Sequence, residues 1–82
     1  MATKTAEQCR KLGVTVGDTI EGRLELDTYW HEARLTLLWA GESKAVWRET
    51  TRSSLRPEWS APRESANWTL DCREWRKLTP NG

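Results

Sequence analysis

Three arginines surround one tryptophan in the second half of the chain. Arg52, Arg56 and Arg63 lie on either side of Trp59, and residues 52–66 also contain two prolines and four serines. Guanidinium groups form forked hydrogen bonds with phosphates and carboxylates, and an indole ring offers a flat face to a nucleotide base. The combination favours nucleotide binding. The alternative is a solvated basic loop whose Trp59 packs into the core.

Tryptophan is the dominant aromatic residue, because the chain has six Trp, one Tyr and no Phe. A core built from 82 residues does not need six indoles, so we expect one to three of them at a binding surface. The alternative is that all six pack internally or at a subunit interface, where Trp is also favoured. Adjacent side chains of a strand point to opposite faces, so either Tyr29 or Trp30 is predicted to be an exposed stacking surface.

Arginine outnumbers lysine by nine to four, while the formal net charge is only +1. Arginine stacks on planar rings and binds anions better than lysine does. A protein that binds nucleic acid in general is usually more basic, so the charge favours one small anion as the ligand. The predicted ligand-binding residues are these aromatic residues and arginines: Tyr29, Trp30, Arg34, Arg48, Arg56, Trp59 and Arg63.

A predicted β-hairpin over residues 29–51 positions most of these side chains. Side chains of its first arm alternate between two faces, one of which is formed by Leu35, Leu37 and Trp39. Residues 40–43 break the pattern at a glycine, and the second arm places Ala45 and Trp47 on one face. Two alternating runs around a short turn are typical of a hairpin.

The remaining segments complete a single domain over residues 1–82. We expect a short helix in residues 1–13 that Gly13 ends, a β core over 14–78 with a loop at 52–66, and a tail at 79–82. Trp68 and Leu70 share a face and are predicted to be core. The fold class is mainly β, either a small SH3-like barrel or a curved antiparallel sheet with the short N-terminal helix.

The sequence lacks the patterns of common catalytic and metal sites. Its five glycines form no phosphate loop, Cys9 and Cys72 are far apart, and His31 is predicted to be a solvated residue at a loop edge. We therefore expect no enzyme activity, no metal and no cofactor. The chain has no apolar run of membrane-spanning length and no secretory signal, which favours a cytoplasmic protein with reduced thiols.

Five segments, taken in order, carry a resemblance to a known group: GDTIEG, RLTLLW, AVWR, EWS and NWTLDCREW. Over roughly residues 12–78 the chain resembles a family of small uncharacterised accessory proteins of tailed phages and prophages of enteric bacteria. The resemblance brings no catalytic or binding residue with it. It implies a phage product in the bacterial host cytoplasm, where such proteins often block a host protein or sequester a nucleotide signal.

The leading hypothesis is a non-catalytic, homo-oligomeric binding protein that counters host defence by sequestering a nucleotide immune signal. It would be an anti-CBASS-like sponge for a cyclic nucleotide or a related small anion. One alternative is a protein–protein inhibitor of a host defence or replication factor, with the same Trp and Arg side chains as interface residues. A second alternative is single-stranded nucleic-acid binding on Trp platforms.

Overall fold

A computed structural model describes residues 5–42, 44–66, 68, 70 and 73–78, with only the backbone described for residues 5–8. Within these residues one helix precedes five strands: α1 (Thr5–Leu12), β1 (Thr19–Glu25), β2 (Trp30–Ala40), β3 (Ala45–Ser53), β4 (Arg63–Ser65) and β5 (Trp75–Leu78). The strands form one antiparallel sheet in the order β4-β3-β2-β1-β5. The mainly β prediction is confirmed. The sheet is not closed into a barrel, and β4 and β5 are its outer strands among the described residues.

Glycine turns separate α1 from the sheet. Gly13 has a φ of 71°, and the Gly13 N–H donates to the Arg10 carbonyl at 3.2 Å while the Val14 N–H donates to the Cys9 carbonyl at 2.9 Å. A left-handed glycine after the last helical residue satisfies carbonyls that the helix leaves free. The turn brings Cys9 and Val14 into the core beside β1.

The hairpin of β2 and β3 is the centre of the sheet. Its register pairs His31 with Ser53 and Leu37 with Trp47, and the Gly41 N–H donates to the Lys44 carbonyl at 2.8 Å in the turn. One prediction about its faces is wrong. A register shift between Leu37 and Trp39 inserts one residue and reverses the alternation, so Trp39 leaves the core face and is 56% exposed.

The core covers one face of the sheet. Its largest side chains are fully buried, with Trp47 at its centre, and the cluster consists of Cys9, Val14, Ile20, Leu35, Leu37, Ala45, Trp47 and Leu70. Trp68 and Trp75 pack against this cluster while partly buried. Leu70 is therefore core as predicted, and Trp68 contributes to the edge of the core.

The predicted loop at 52–66 is shorter than expected, because β3 continues through Ser53 and Arg63 begins β4. The loop of residues 54–62 closes onto the edge of β3. The Ser60 N–H donates to the Thr51 carbonyl at 2.8 Å, and the Thr51 N–H donates to the Ser60 hydroxyl at 3.0 Å. These bonds satisfy the β3 backbone where β4 no longer covers it. The predicted tail, Asn67, Thr69 and Cys72 lie outside the described residues.

Candidate functional site: a basic cleft beside an arginine–tryptophan stack

A cleft of about 570 Å³ lies between the end of the hairpin and loop 54–62. Its basic lining consists of His31, Arg52, Arg56 and Arg63. Three hydroxyl groups also line it, from Thr51, Ser53 and Ser60, and no carboxylate is among its described lining residues. Arginines and hydroxyls are hydrogen-bond donors, so the basic cleft is suited to an anionic ligand.

Two of the three arginines in the basic cleft already have a carboxylate partner. Arg52 Nε lies 2.7 Å from Glu32 Oε1, and Arg63 Nε lies 3.1 Å from Glu49 Oε1. Both glutamates are buried, so their charges require such partners. Arg56 is exposed and forms no ion pair or side-chain hydrogen bond with any residue that the structure describes. Arg56 is therefore the arginine whose charge remains available to a ligand.

His31 enters the basic cleft from β2. Its Nδ1 lies 3.0 Å from Nη1 of Arg73, and the same Nη1 lies 3.4 Å from the carbonyl oxygens of Gly22 and His31. Partial burial lowers the pKa of His31 below its usual value of 6.5, the Arg73 charge lowers it further, and Glu49 opposes both. The lowered pKa favours the neutral form of the His31 imidazole at pH 7. The prediction of a solvated loop-edge histidine is wrong, because His31 lies within a strand and is partly buried.

Two tryptophans hold the Arg73 guanidinium in place. Its central carbon lies 5.6 Å from the ring centroid of Trp68 and 5.5 Å from that of Trp75. The two indoles meet edge to face, with centroids 5.9 Å apart. Trp68 Nε1 donates to Glu49 at 3.0 Å and Trp75 Nε1 donates to the Leu70 carbonyl at 3.2 Å. Indole rings fixed in this way restrict where the guanidinium can lie.

A second constellation covers the other face of the sheet, and we call it the arginine–tryptophan stack. It contains, in order of contact, Arg23, Trp30, Arg52, Trp59 and Arg34. Successive guanidinium-to-ring distances are 4.7, 5.8, 4.6 and 4.4 Å. Because Trp59 belongs to loop 54–62 and the other four residues to strands, the stack fastens this loop to the sheet.

Two glutamates neutralise most of the arginines of the stack. Glu32 pairs with Arg52 at 2.7 Å and with Arg23 at 3.4 Å. Glu21 pairs with Arg34 at 2.7 Å and with Arg76 at 2.9 Å. The hydrogen bond from Arg34 is the main cause that lowers the pKa of Glu21, although burial opposes it. The stack is thus engaged internally, and its indoles already carry guanidinium groups.

The predicted ligand-binding residues fall into three groups. Trp30, Arg34 and Trp59 meet in the stack, while Arg56 and Arg63 line the basic cleft. Tyr29 lies in the turn between β1 and β2, where its carbonyl accepts the Leu26 N–H at 2.7 Å. Arg48 is exposed on β3 and contributes to neither constellation.

Sequence reasoning missed three contributors: His31, Arg52 and Arg73. Arg52 flanks Trp59 in the sequence but is not among the predicted ligand-binding residues, and it belongs to both the stack and the basic cleft. Side chains alternate along β3, so Thr51 and Ser53 share one face of the sheet and Arg52 lies on the other. Because the hairpin register pairs Ser53 with His31, that register could have placed the two hydroxyls next to His31. No local signal links Arg73 to His31, because that contact depends on how the last segment packs.

Other site types find little support in the described part of the chain. No group of three or more His, Cys, Asp or Glu side chains there could hold a metal ion. Burial raises the pKa of the Cys9 thiol, which makes it less reactive. None of the described helical structure is long and apolar enough to cross a membrane.

Comparisons with known proteins bear on the family alone. No curated protein and no solved structure matches the chain. A family model described as a domain of unknown function matches residues 3–80, which is nearly the whole sequence. The chain therefore belongs to the DUF7241 family.

Proposed function

We propose that this protein is a non-catalytic binding protein that sequesters a small phosphate-bearing ligand in the basic cleft. The leading class of ligand is a nucleotide, and in particular a cyclic oligonucleotide that serves as an immune signal in bacteria. The observation that carries the proposal is the placement of Arg56, with an unpaired charge, beside Arg52, Arg63 and His31 in one cleft.

The charge of the basic cleft fits one phosphate group. Glu32 and Glu49 offset Arg52 and Arg63, which leaves about one uncompensated positive charge at Arg56. Paired arginines still donate through their remaining N–H groups, because a guanidinium carries five donors. A protein that tracks a long nucleic-acid backbone would need a more extended basic surface.

The size and apolar part of the basic cleft fit a nucleotide. Its volume of about 570 Å³ falls in the range of small-molecule sites. Leu55 and Ala61 line it beside the arginines and offer apolar contact to a base or sugar. The indole rings of the stack support the basic cleft from the other side of the sheet, since they hold Arg52 and the loop. Their function in this proposal is structural.

Tryptophan fluorescence titration tests the proposal. Inorganic pyrophosphate and a panel of cyclic di- and trinucleotides are added to the purified protein, and we expect saturable quenching by at least one cyclic nucleotide. Arg56→Ala should weaken the binding of that ligand roughly ten-fold or more, because a charge-assisted hydrogen bond is lost. It should leave the unfolding midpoint unchanged, since the Arg56 side chain is exposed and forms no ion pair or side-chain hydrogen bond with a described residue.

Arg48→Ala is the matched control. Arg48 is an exposed arginine of the same sheet that lies outside the basic cleft, so its removal should leave the affinity unchanged. Equal losses in both variants would indicate nonspecific attraction to positive charge. A flat response of the wild-type protein across the whole panel, both in fluorescence and in isothermal titration calorimetry, would overturn the proposal.

A protein partner is the second candidate, and two exposed apolar side chains favour it. Leu55 is 85% exposed and Trp39 is 56% exposed, and Trp is enriched among the residues that contribute most of the binding energy in interfaces. In that case Trp39→Ala and Leu55→Ala should abolish capture of one host protein from a bacterial lysate. Strong binding of oligonucleotides with a steep dependence on salt would instead favour the nucleic-acid alternative.

The biological setting of the proposal comes from the resemblance to small phage proteins. A sponge for an immune signal would act in the cytoplasm of the bacterial host, where such a signal is made. We propose that the protein acts there as a homo-oligomer, because 82 residues bury little apolar area in one chain. Light scattering coupled to gel filtration measures the number of subunits directly.

A further inference from the structure

We propose that Arg73 is a positioning residue, which sets His31 as a neutral N–H donor of the basic cleft. The role of His31 in binding a ligand rests on the proposed function, whereas the protonation state of its imidazole does not. Arg73 is then a determinant of the basic cleft that lies outside its lining.

The contact between the two side chains determines which nitrogen of His31 carries the proton. An arginine side chain has only donors, so at 3.0 Å from Arg73 Nη1 the Nδ1 of His31 must accept a hydrogen bond. A neutral imidazole whose Nδ1 accepts carries its hydrogen on Nε2. A doubly protonated ring would place an N–H against the guanidinium, which the geometry opposes.

Arg73 can impose this state because it is itself fixed. The Trp68 and Trp75 rings lie 5.6 and 5.5 Å from its central carbon, and its Nη1 also lies near two backbone carbonyls at 3.4 Å. The charged groups around His31 are Arg73 and Glu49, together with the arginines of the basic cleft. Most of these charges are positive, which favours a neutral imidazole.

The consequence for binding is a second kind of donor in the basic cleft. Three guanidinium groups supply donors and, at Arg56, an uncompensated positive charge, and the imidazole supplies one N–H donor while it is neutral. Since none of the described residues that line the basic cleft is a carboxylate, the imidazole adds to a set of groups that favours acceptor-rich phosphate oxygens. We expect His31 to contribute to affinity as a hydrogen-bond donor at a fixed position.

Nitrogen NMR tests the state of the ring without any ligand. His31 is the only histidine, so the imidazole signals of uniformly ¹⁵N-labelled protein need no assignment. At pH 7 we expect a neutral ring with its proton on Nε2. A proton on Nδ1, or a charged imidazolium, would overturn the inference whatever the ligand data show.

Two substitutions test the role in binding, with inorganic pyrophosphate and the quenching cyclic nucleotide as probes. His31→Gln keeps an amide nitrogen near the Nε2 position and should retain affinity within about three-fold. In His31→Asn the amide nitrogen reaches only the Nδ1 position, so this variant should lose roughly ten-fold in affinity, which corresponds to about one hydrogen bond. Equal affinities in the two variants would overturn the donor role.

Arg73→Met completes the test. It removes the donor to Nδ1 while leaving an apolar stem between the tryptophans, and it should yield a mixture of both tautomers. If this variant does not fold, the wild-type NMR spectrum still decides the state of His31. If the wild-type and Arg73→Met spectra are both as expected but no phosphate probe binds, the proposed function fails while the assignment of Arg73 stands.

Discussion

The guanidinium carbon of Arg34 lies 4.4 Å from the centre of the Trp59 indole ring. Arg34 is in the middle of the sheet and Trp59 is in the loop, so this contact joins a regular element to the least regular segment of the chain. Arg52 approaches the same ring at 4.6 Å. The loop residues that line the basic cleft are thus held by contacts on the opposite side of the sheet.

Trp59→Ala should release the loop. Each cation–π contact contributes about 0.5–2 kcal/mol, so the loss of two should lower the free energy of unfolding by about 1–4 kcal/mol. Limited proteolysis should then cut the chain within residues 54–62, and denaturant unfolding measures the cost. Trp59→Phe keeps an aromatic face and should lose less. Unchanged protease resistance in Trp59→Ala would show that the backbone bonds of Ser60 suffice to hold the loop.

Gly22 and Gly41 both lie against an indole ring, so adding a methyl group at each position gives a matched comparison. A Cβ atom at Gly22 would lie 2.7 Å from the Trp75 ring and 2.8 Å from Arg73, whose positions depend on each other. Gly22→Ala should therefore destabilise the protein by about 1–3 kcal/mol through overpacking. A Cβ at Gly41 would lie 2.5 Å from the tip of the exposed Trp39 ring, which can move away.

Comparison of the two glycine variants by thermal or urea unfolding checks this prediction. The unfolding midpoint of Gly22→Ala should lie well below that of Gly41→Ala. Gly22→Ala should also disturb the imidazole signals of His31, because it displaces Arg73. Equal midpoints would mean that Trp75 moves as easily as Trp39 does.

Glu21 makes the free energy of unfolding depend on pH in the acidic range. Its pKa is lowered below the usual 4.5, first by the hydrogen bond from Arg34 and also by that from Arg76. A carboxylate with a lowered pKa stabilises the fold fully above its unfolded pKa, and the stabilisation is lost as the pH falls through the folded pKa. Urea unfolding between pH 7 and pH 3 should show a loss that begins near pH 5.

Glu21→Gln is the control for this pH dependence. The variant should be less stable at pH 7, because Arg34 and Arg76 lose their charged partner, and its stability should fall less steeply in acid. The difference between wild type and variant isolates Glu21 from the other carboxylates that titrate there. Parallel pH curves for the two proteins would contradict the prediction.

His31 makes stability depend on pH in a higher window. Burial and the Arg73 charge lower its pKa below 6.5, so the unfolded chain binds a proton more readily than the folded one. The free energy of unfolding should therefore rise with pH up to and through 6.5 and level off above it. His31→Gln should remove this slope, and urea unfolding between pH 5.5 and 8 measures it. A slope of the opposite sign would show that Glu49 outweighs burial and the Arg73 charge together.

Local patterns in the sequence specified much of the secondary structure. Alternation from Leu35 to Leu37 and from Ala45 to Trp47, around a glycine turn, is enough to predict the hairpin and its buried face. Gly13 marks the end of α1 in both the sequence and the structure. Such features are predictable because they depend on residues that are close in the chain.

The site depended on contacts between segments that are far apart in sequence. The sequence by itself determined that arginines and tryptophans cluster around one loop and one hairpin. Only the tertiary structure decided that Trp59 carries two guanidinium groups, that Trp39 is turned outward, and that Arg73 reaches His31. The physical reason is that a bulge of one residue and the packing of the last segment are set by the whole sheet, whereas propensity and periodicity act over a few residues.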